Sequence, residues 1–119
     1  MIDLIGTDAD NVVGFRLRGD VESADFGDVA RLIEERQRAH ERVRLYAELE
    51  CDGEEQLAAF LKRFGYAVRN LRAFEKEAVV SAEPWPETMA VLLVKSVPAL
   101  EVKRFGPDER EQALAWVRS

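Results

Sequence analysis

Cysteine and histidine are the side chains readiest for chemistry near neutral pH, and the chain carries one of each, Cys51 and His40. Cys51 follows an alternating stretch, Val43 to Glu50, and precedes a helix start, where the helix dipole favours a thiolate. A nucleophilic thiol also needs a base within hydrogen-bond reach. His40 stands at the opposite end of the same stretch, and eight residues of extended chain put the two roughly 25 Å apart. They do not form a pair within one subunit, so Cys51 reads as a small loop residue and a thiol-dependent enzyme is the remote reading. One Cys and one His cannot build a zinc site, and Asp8, Asp10, Asp20 and Glu22 lack the spacing of a calcium loop. Gly14 and Gly19 have no third glycine opening a helix, so no dinucleotide fingerprint is present. The residues predict no catalytic group, metal or cofactor.

Charge narrows the partners further. Arg31, Arg36, Arg38, Arg42 and Arg44 concentrate locally, and Lys62, Arg63, Arg69 and Arg72 follow. Glu34, Glu35 and Glu41 interleave with the first group, which is the pattern of a solvated face. No aromatic residues alternate with these arginines as single-strand binding would require. With a net charge of −6, nucleic acid is not an expected partner.

The apolar residues are more informative. Residues 89–94, Met-Ala-Val-Leu-Leu-Val, are apolar all round. In a helix covering a sheet, one side normally meets water, so Val91, Leu92, Leu93, Val94 and Val97 exceed what one domain can bury. This surplus should meet a second subunit, a neighbouring helix or an apolar ligand, and a homodimer contact is the favoured expectation. Trp85, pinned between Pro84 and Pro86, is placed to wall an apolar pocket with Phe26 and Met89 behind it. Cys51 belongs to the same group, because residues 19–23, 51–53 and 81–85 lie where strands end, and open α/β sheets bind ligands beyond those ends.

The elements that must position these residues follow from periodicity. Val43, Leu45, Ala47 and Leu49 alternate with Arg44, Tyr46, Glu48 and Glu50, marking a central strand with one apolar face. Before it, Ile2 to Ile5 reads as a short edge strand, and residues 11–19 as a second strand with Val13, Phe15 and Leu17 on one face. The polar connection between them predicts a hairpin. Ser23 opens a helix with Phe26, Val29, Ala30 and Ile33 in phase and Asp25 and Asp28 in its first turn. Residues 54–71 form a second helical pattern, residues 76–81 a strand, residues 84–97 a third helix opened by proline, and Leu100 to Phe105 a last strand. Asp108 starts a final helix with Ala113, Leu114 and Val117 facing inward. The order predicts an α/β fold: a two-layer, open, mixed and mostly parallel five-stranded sheet with four helices, in a single domain over residues 1–119.

Composition agrees with a globular domain, at 47% hydrophobic and 34% charged residues. No basic start precedes an apolar run, and residues 89–94 are too short to cross a bilayer, so the expected location is cytoplasmic with no membrane span.

Asn11-Val-Val-Gly-Phe15, Leu71 to Val80, Glu101 to Phe105 and the tail from Asp108 to Val117 together resemble the SpoIIAA-like proteins, small bacterial domains of the STAS fold. The resemblance implies a non-enzymatic binding domain, for an apolar or lipid-like molecule or for a protein partner. Anti-sigma factor antagonists of that fold carry a phosphorylatable serine after a central strand. Here the position reads Glu50-Cys-Asp-Gly-Glu-Glu55, with no hydroxyl to accept phosphate. The expectation is therefore a ligand-binding homodimer, with a protein-interaction domain lacking the phosphoserine switch as the alternative.

Overall fold

The computed structural model describes residues 2–18, 23–50, 74–82 and 100–119, with side chains of the first helix described from Gly27 onward. Five strands form one sheet in the order β1 (Ile2–Ile5), β2 (Val12–Arg18), β3 (Val43–Glu50), β4 (Phe74–Val80) and β5 (Glu101–Phe105). β1 pairs antiparallel with β2, and every later pairing is parallel. The stretch from Val43 to Glu50 is the middle strand, as its pattern predicts.

Helix α1 (Ser23–Ala39) crosses from β2 to β3 and lies against β1, β2 and β3. Its stripe behaves as its period requires: Val29 and Ile33 are buried against Val13, Phe15, Leu17, Val43, Leu45 and Ala47, and Arg31 and Arg38 are exposed. Its last turn carries Arg36 and Arg38, which suits the negative end of the helix dipole.

The expected two-layer arrangement needs correction, because the last helix lies on the opposite face. After β5 a 3₁₀ turn (Pro107–Glu109) leads into α2 (Arg110–Arg118), whose Ala113 and Val117 are buried against Val12, Tyr46, Ala78, Val80 and Phe105. These strand residues alternate with those under α1, so the sheet carries a helix on each side. The reason is connectivity. α1 joins neighbouring parallel strands, whereas α2 follows the last strand and is free to fold over the uncovered face. The final helix also starts two residues later than expected. Asp108 and Glu109 form the 3₁₀ turn, whose Glu109 carboxylate accepts a hydrogen bond from the Gly106 N–H at 2.8 Å. Of the four expected helices, these two are described, and the segments 54–71 and 84–97 lie outside the described residues.

Both faces being covered changes β3. Its even positions do not all meet water: Tyr46 and Glu48 are as buried as Leu45 and Ala47. β4 keeps its apolar residues inward by an irregularity. Val43 pairs with Phe74 but Arg44 pairs with Lys76, so Glu75 is an extra residue. The shift turns Phe74 into the α1-side core, and the Glu75 carboxylate takes a hydrogen bond from Arg44 Nε at 2.5 Å. Arg44 also donates to the Val117 and Ser119 carbonyl oxygens, both at 2.8 Å, so a cation caps the C-terminal end of α2.

Gly14 shows why the hairpin packs closely. A Cβ there would stand 2.7 Å from Thr7 Cγ2 and 2.8 Å from the Ile5 carbonyl oxygen. Thr7 is buried and its hydroxyl is shared between the Val12 and Ala9 carbonyls, at 2.8 and 3.0 Å. Neither neighbour can swing aside. Gly14→Ala is therefore expected to lower stability by about 1–3 kcal/mol, read as a lower urea midpoint with an unchanged slope.

Candidate functional site

The carboxyl ends of β2 and β3 hold a network of charge on the α2 side of the sheet. Arg16 and Glu48 are register partners on neighbouring strands, and the side chains meet there. Arg16 reaches Glu48 Oε2 with Nε at 3.1 Å and Nη2 at 3.0 Å. Arg110, the first residue of α2, approaches Glu48 Oε1 with Nε at 2.5 Å. Glu50 lies further out, 3.9 Å from Arg16 Nε and 3.7 Å from Arg110 Nη2. Glu48 is only 3% exposed, whereas both arginines reach solvent.

Electrostatics follows from these contacts. The hydrogen bond and charge of Glu48 raise the pKa of Arg16. Burial, with the nearby Glu48 charge and its hydrogen bond, pushes the Tyr46 phenol up to about 12, so Tyr46 stays protonated. Two guanidiniums balance two carboxylates, and each Glu48 oxygen faces a guanidinium N–H. Such a group is not available as a general base, and a phenol held protonated is no nucleophile. The arrangement clamps β2, β3 and the start of α2 together. A cation in the first turn of a helix opposes the helix dipole, and here two carboxylates offset that placement.

Removing the acid and removing its partners should differ. With Glu48→Ala, Arg16 and Arg110 rehydrate at the surface, so the expected loss is about 1–3 kcal/mol. Replacing both arginines by Met strands a buried carboxylate and should lose about 3–5 kcal/mol. That loss should exceed the sum of the two single variants in urea melts, the signature of a shared partner.

The α1 side of the sheet carries a different carboxyl. Glu77 in β4 sits between Leu45 of β3 and Val102 of β5, with Val79 and Phe74 along the same face. Burial pushes its carboxyl up to about 7 from an ordinary 4.5. Below pH 4.5 folded and unfolded chains both hold the proton. Above it the unfolded chain ionises first, so stability falls as pH rises from 4.5 to about 7 and then levels off, for a total of about 3 kcal/mol. Urea melts at about pH 5 and about pH 8 should show this fall, and Glu77→Gln should abolish it and be the more stable protein at the higher pH.

A third cluster lies at the opposite end of the sheet. Asp10 accepts a hydrogen bond from Arg36 Nη1 at 2.6 Å and lies 2.7 Å from His40 Nε2. The His40 hydrogen bond and then the Arg36 charge hold the Asp10 carboxyl below its usual value. His40 is thus engaged with the β1–β2 loop. Arg31 pairs with Asp28 and Arg44 with Glu75, carboxylates other than the interleaved Glu34, Glu35 and Glu41, and the Arg44 pair is largely buried rather than solvated.

Among the expected ligand-lining residues, Phe26 lies in α1 but its side chain is outside the described residues, as are Cys51, Trp85 and Met89 altogether. The expected interface, Val91, Leu92, Leu93, Val94 and Val97, also lies outside them. Sequence reasoning passed over Glu48, Arg16 and Arg110. The available signal was a glutamate at a strand position flanked by Tyr46 and by an arginine on the preceding strand, but nothing local marks Arg110 as its partner. Among the described residues no three His, Cys, Asp or Glu side chains are grouped to hold a metal ion, and no helix is long and apolar enough to cross a membrane.

Comparison with curated proteins and with solved structures finds no match. The profile of the SpoIIAA-like family matches residues 12–118, from the first residue of β2 almost to the end of α2. With a mixed, mostly parallel five-stranded sheet compatible with the STAS fold, the chain belongs to the SpoIIAA-like family.

Proposed function

We propose that residues 1–119 form a single non-enzymatic binding domain that takes up an apolar or lipid-like small molecule and works as a homodimer. The family is of a generally non-enzymatic, regulatory type. The observation that carries the ligand half is Glu77. This half-buried carboxyl, its pKa raised to about 7 by desolvation, lies on the sheet face bearing Phe74, Val79, Leu100 and Val102. An apolar sheet face of this kind suits an apolar guest, and a protonated carboxyl at its edge can donate to the guest's polar end. The apolar residues 89–94 and Trp85 supply matching chemistry in sequence, with Phe26, Cys51 and Met89 as further lining.

The Glu48 network favours a second reading, a protein-interaction domain in bacterial signalling without a phosphoserine switch. It presents both signs of charge at the carboxyl end of β3, directly before Cys51-Asp52-Gly53, where no hydroxyl stands. A balanced, clamped surface suits a protein partner better than a free anion.

Native mass spectrometry of the protein as purified from cells is expected to show a dimer carrying an organic-extractable adduct. Leu93→Glu should give monomer, and Glu77→Lys should empty the adduct while the dimer remains. An adduct-free monomer from the unaltered chain would overturn this function, and a bound protein in place of the adduct would favour the second reading.

A further inference from the structure

We propose that the cavity between the β1–β2 loop and α1 is a binding site for a small zwitterion with a short aliphatic body, the chemistry of a free branched amino acid. The cavity has a volume of about 310 Å³, at the small end of ligand pockets. Leu32 and Val13 give it an apolar wall on the α1 side, and Asp8, Asp10 and Arg36 also line it. It lies at the amino ends of the parallel strands, away from Glu77 and from the Glu48 network, and is independent of the function proposed above.

The rim has one open group of each sign. Arg36 uses Nη1 on Asp10, and its remaining donors make no hydrogen bond among the described residues. Asp8 is exposed, with a φ of 57° that aspartate tolerates, and has no hydrogen bond or ion pair among the described residues. A ligand carboxylate can take the free edge of the Arg36 fork, and a ligand ammonium can face Asp8. A simple anion would meet two carboxylates, and a simple cation would meet Arg36. A molecule bearing both charges satisfies both, and its aliphatic part packs on Leu32.

The loop that forms the wall is already fixed. Thr7 holds it through its buried hydroxyl, Arg118 Nη1 of α2 donates to the Thr7 carbonyl at 3.2 Å, and Arg36 of α1 and His40 just after it hold Asp10. Little ordering remains for a ligand to impose, which favours binding of even a small molecule.

The test is a titration of the full ¹⁵N-labelled chain with L-valine, isovalerate and isobutylamine, followed by amide shifts. Valine is expected to shift Gly6, Asp8 and Gly14 saturably, and each singly charged analogue to bind at least about tenfold more weakly, equivalent to about 1.4 kcal/mol. Asp8→Asn, at an exposed position whose φ asparagine also accepts, should weaken valine by a similar factor without lowering the melting temperature. Arg36→Met should abolish the shifts. Absence of shifts up to ~10 mM valine, equal binding of the three probes, or unchanged binding in Asp8→Asn would each overturn the proposal.

Discussion

A carboxylate sealed from water must be met by cations, and the fold is arranged around one such meeting. Glu48 lies in the middle strand beneath α2, with Arg16 from the neighbouring strand and Arg110 from the helix on its two oxygens. Desolvating an acid this fully is unfavourable unless its lone pairs are met. The clamp therefore does more than add an ion pair. It fixes where α2 begins, and with it which residues of α2 reach the sheet. Ala113 and Val117 then fall over Ala78, Val80 and Tyr46, and Arg44 closes the far end of the helix on its carbonyl oxygens.

The two faces of the sheet differ in how they treat charge. On the α2 side, acids and bases are paired at both ends of the helix, and Lys76 and Lys103 lie 5.1 and 5.9 Å from the Trp116 ring. On the α1 side, Glu77 stands among apolar residues and responds by holding its proton. Pairing and a raised pKa are two ways a carboxyl drawn out of water avoids an isolated charge: buried Glu48 shows the first and half-buried Glu77 the second. That contrast separates the two functional readings: an apolar face suits an apolar guest, and a balanced charged rim suits a protein.

The β1–β2 loop joins the layers. α1 reaches it through Arg36, with His40 just beyond its end, and α2 reaches it through Arg118, from opposite sides of the sheet. A short hairpin connection thereby becomes the place where both helices are held to one segment of backbone, and Gly14 is the absence of a side chain that lets it lie so close.

Local pattern alone determined much of this architecture. Period-two alternation placed β2 and β3, the helical stripe of Val29 and Ile33 placed α1, and strand–helix alternation implied a mostly parallel sheet with β3 central. These are legible because each depends on neighbours within a few residues. The irregularity at Glu75, the burial of Tyr46 and Glu48, and the helix on each face were decided by tertiary structure. Each arises from contacts between residues far apart in the chain: Arg16, Glu48 and Arg110 span 94 positions, and no spacing rule connects them. A strand's sequence tells which side is apolar, but whether the other side meets water or a helix depends on where the chain returns. Here it returns over Glu48.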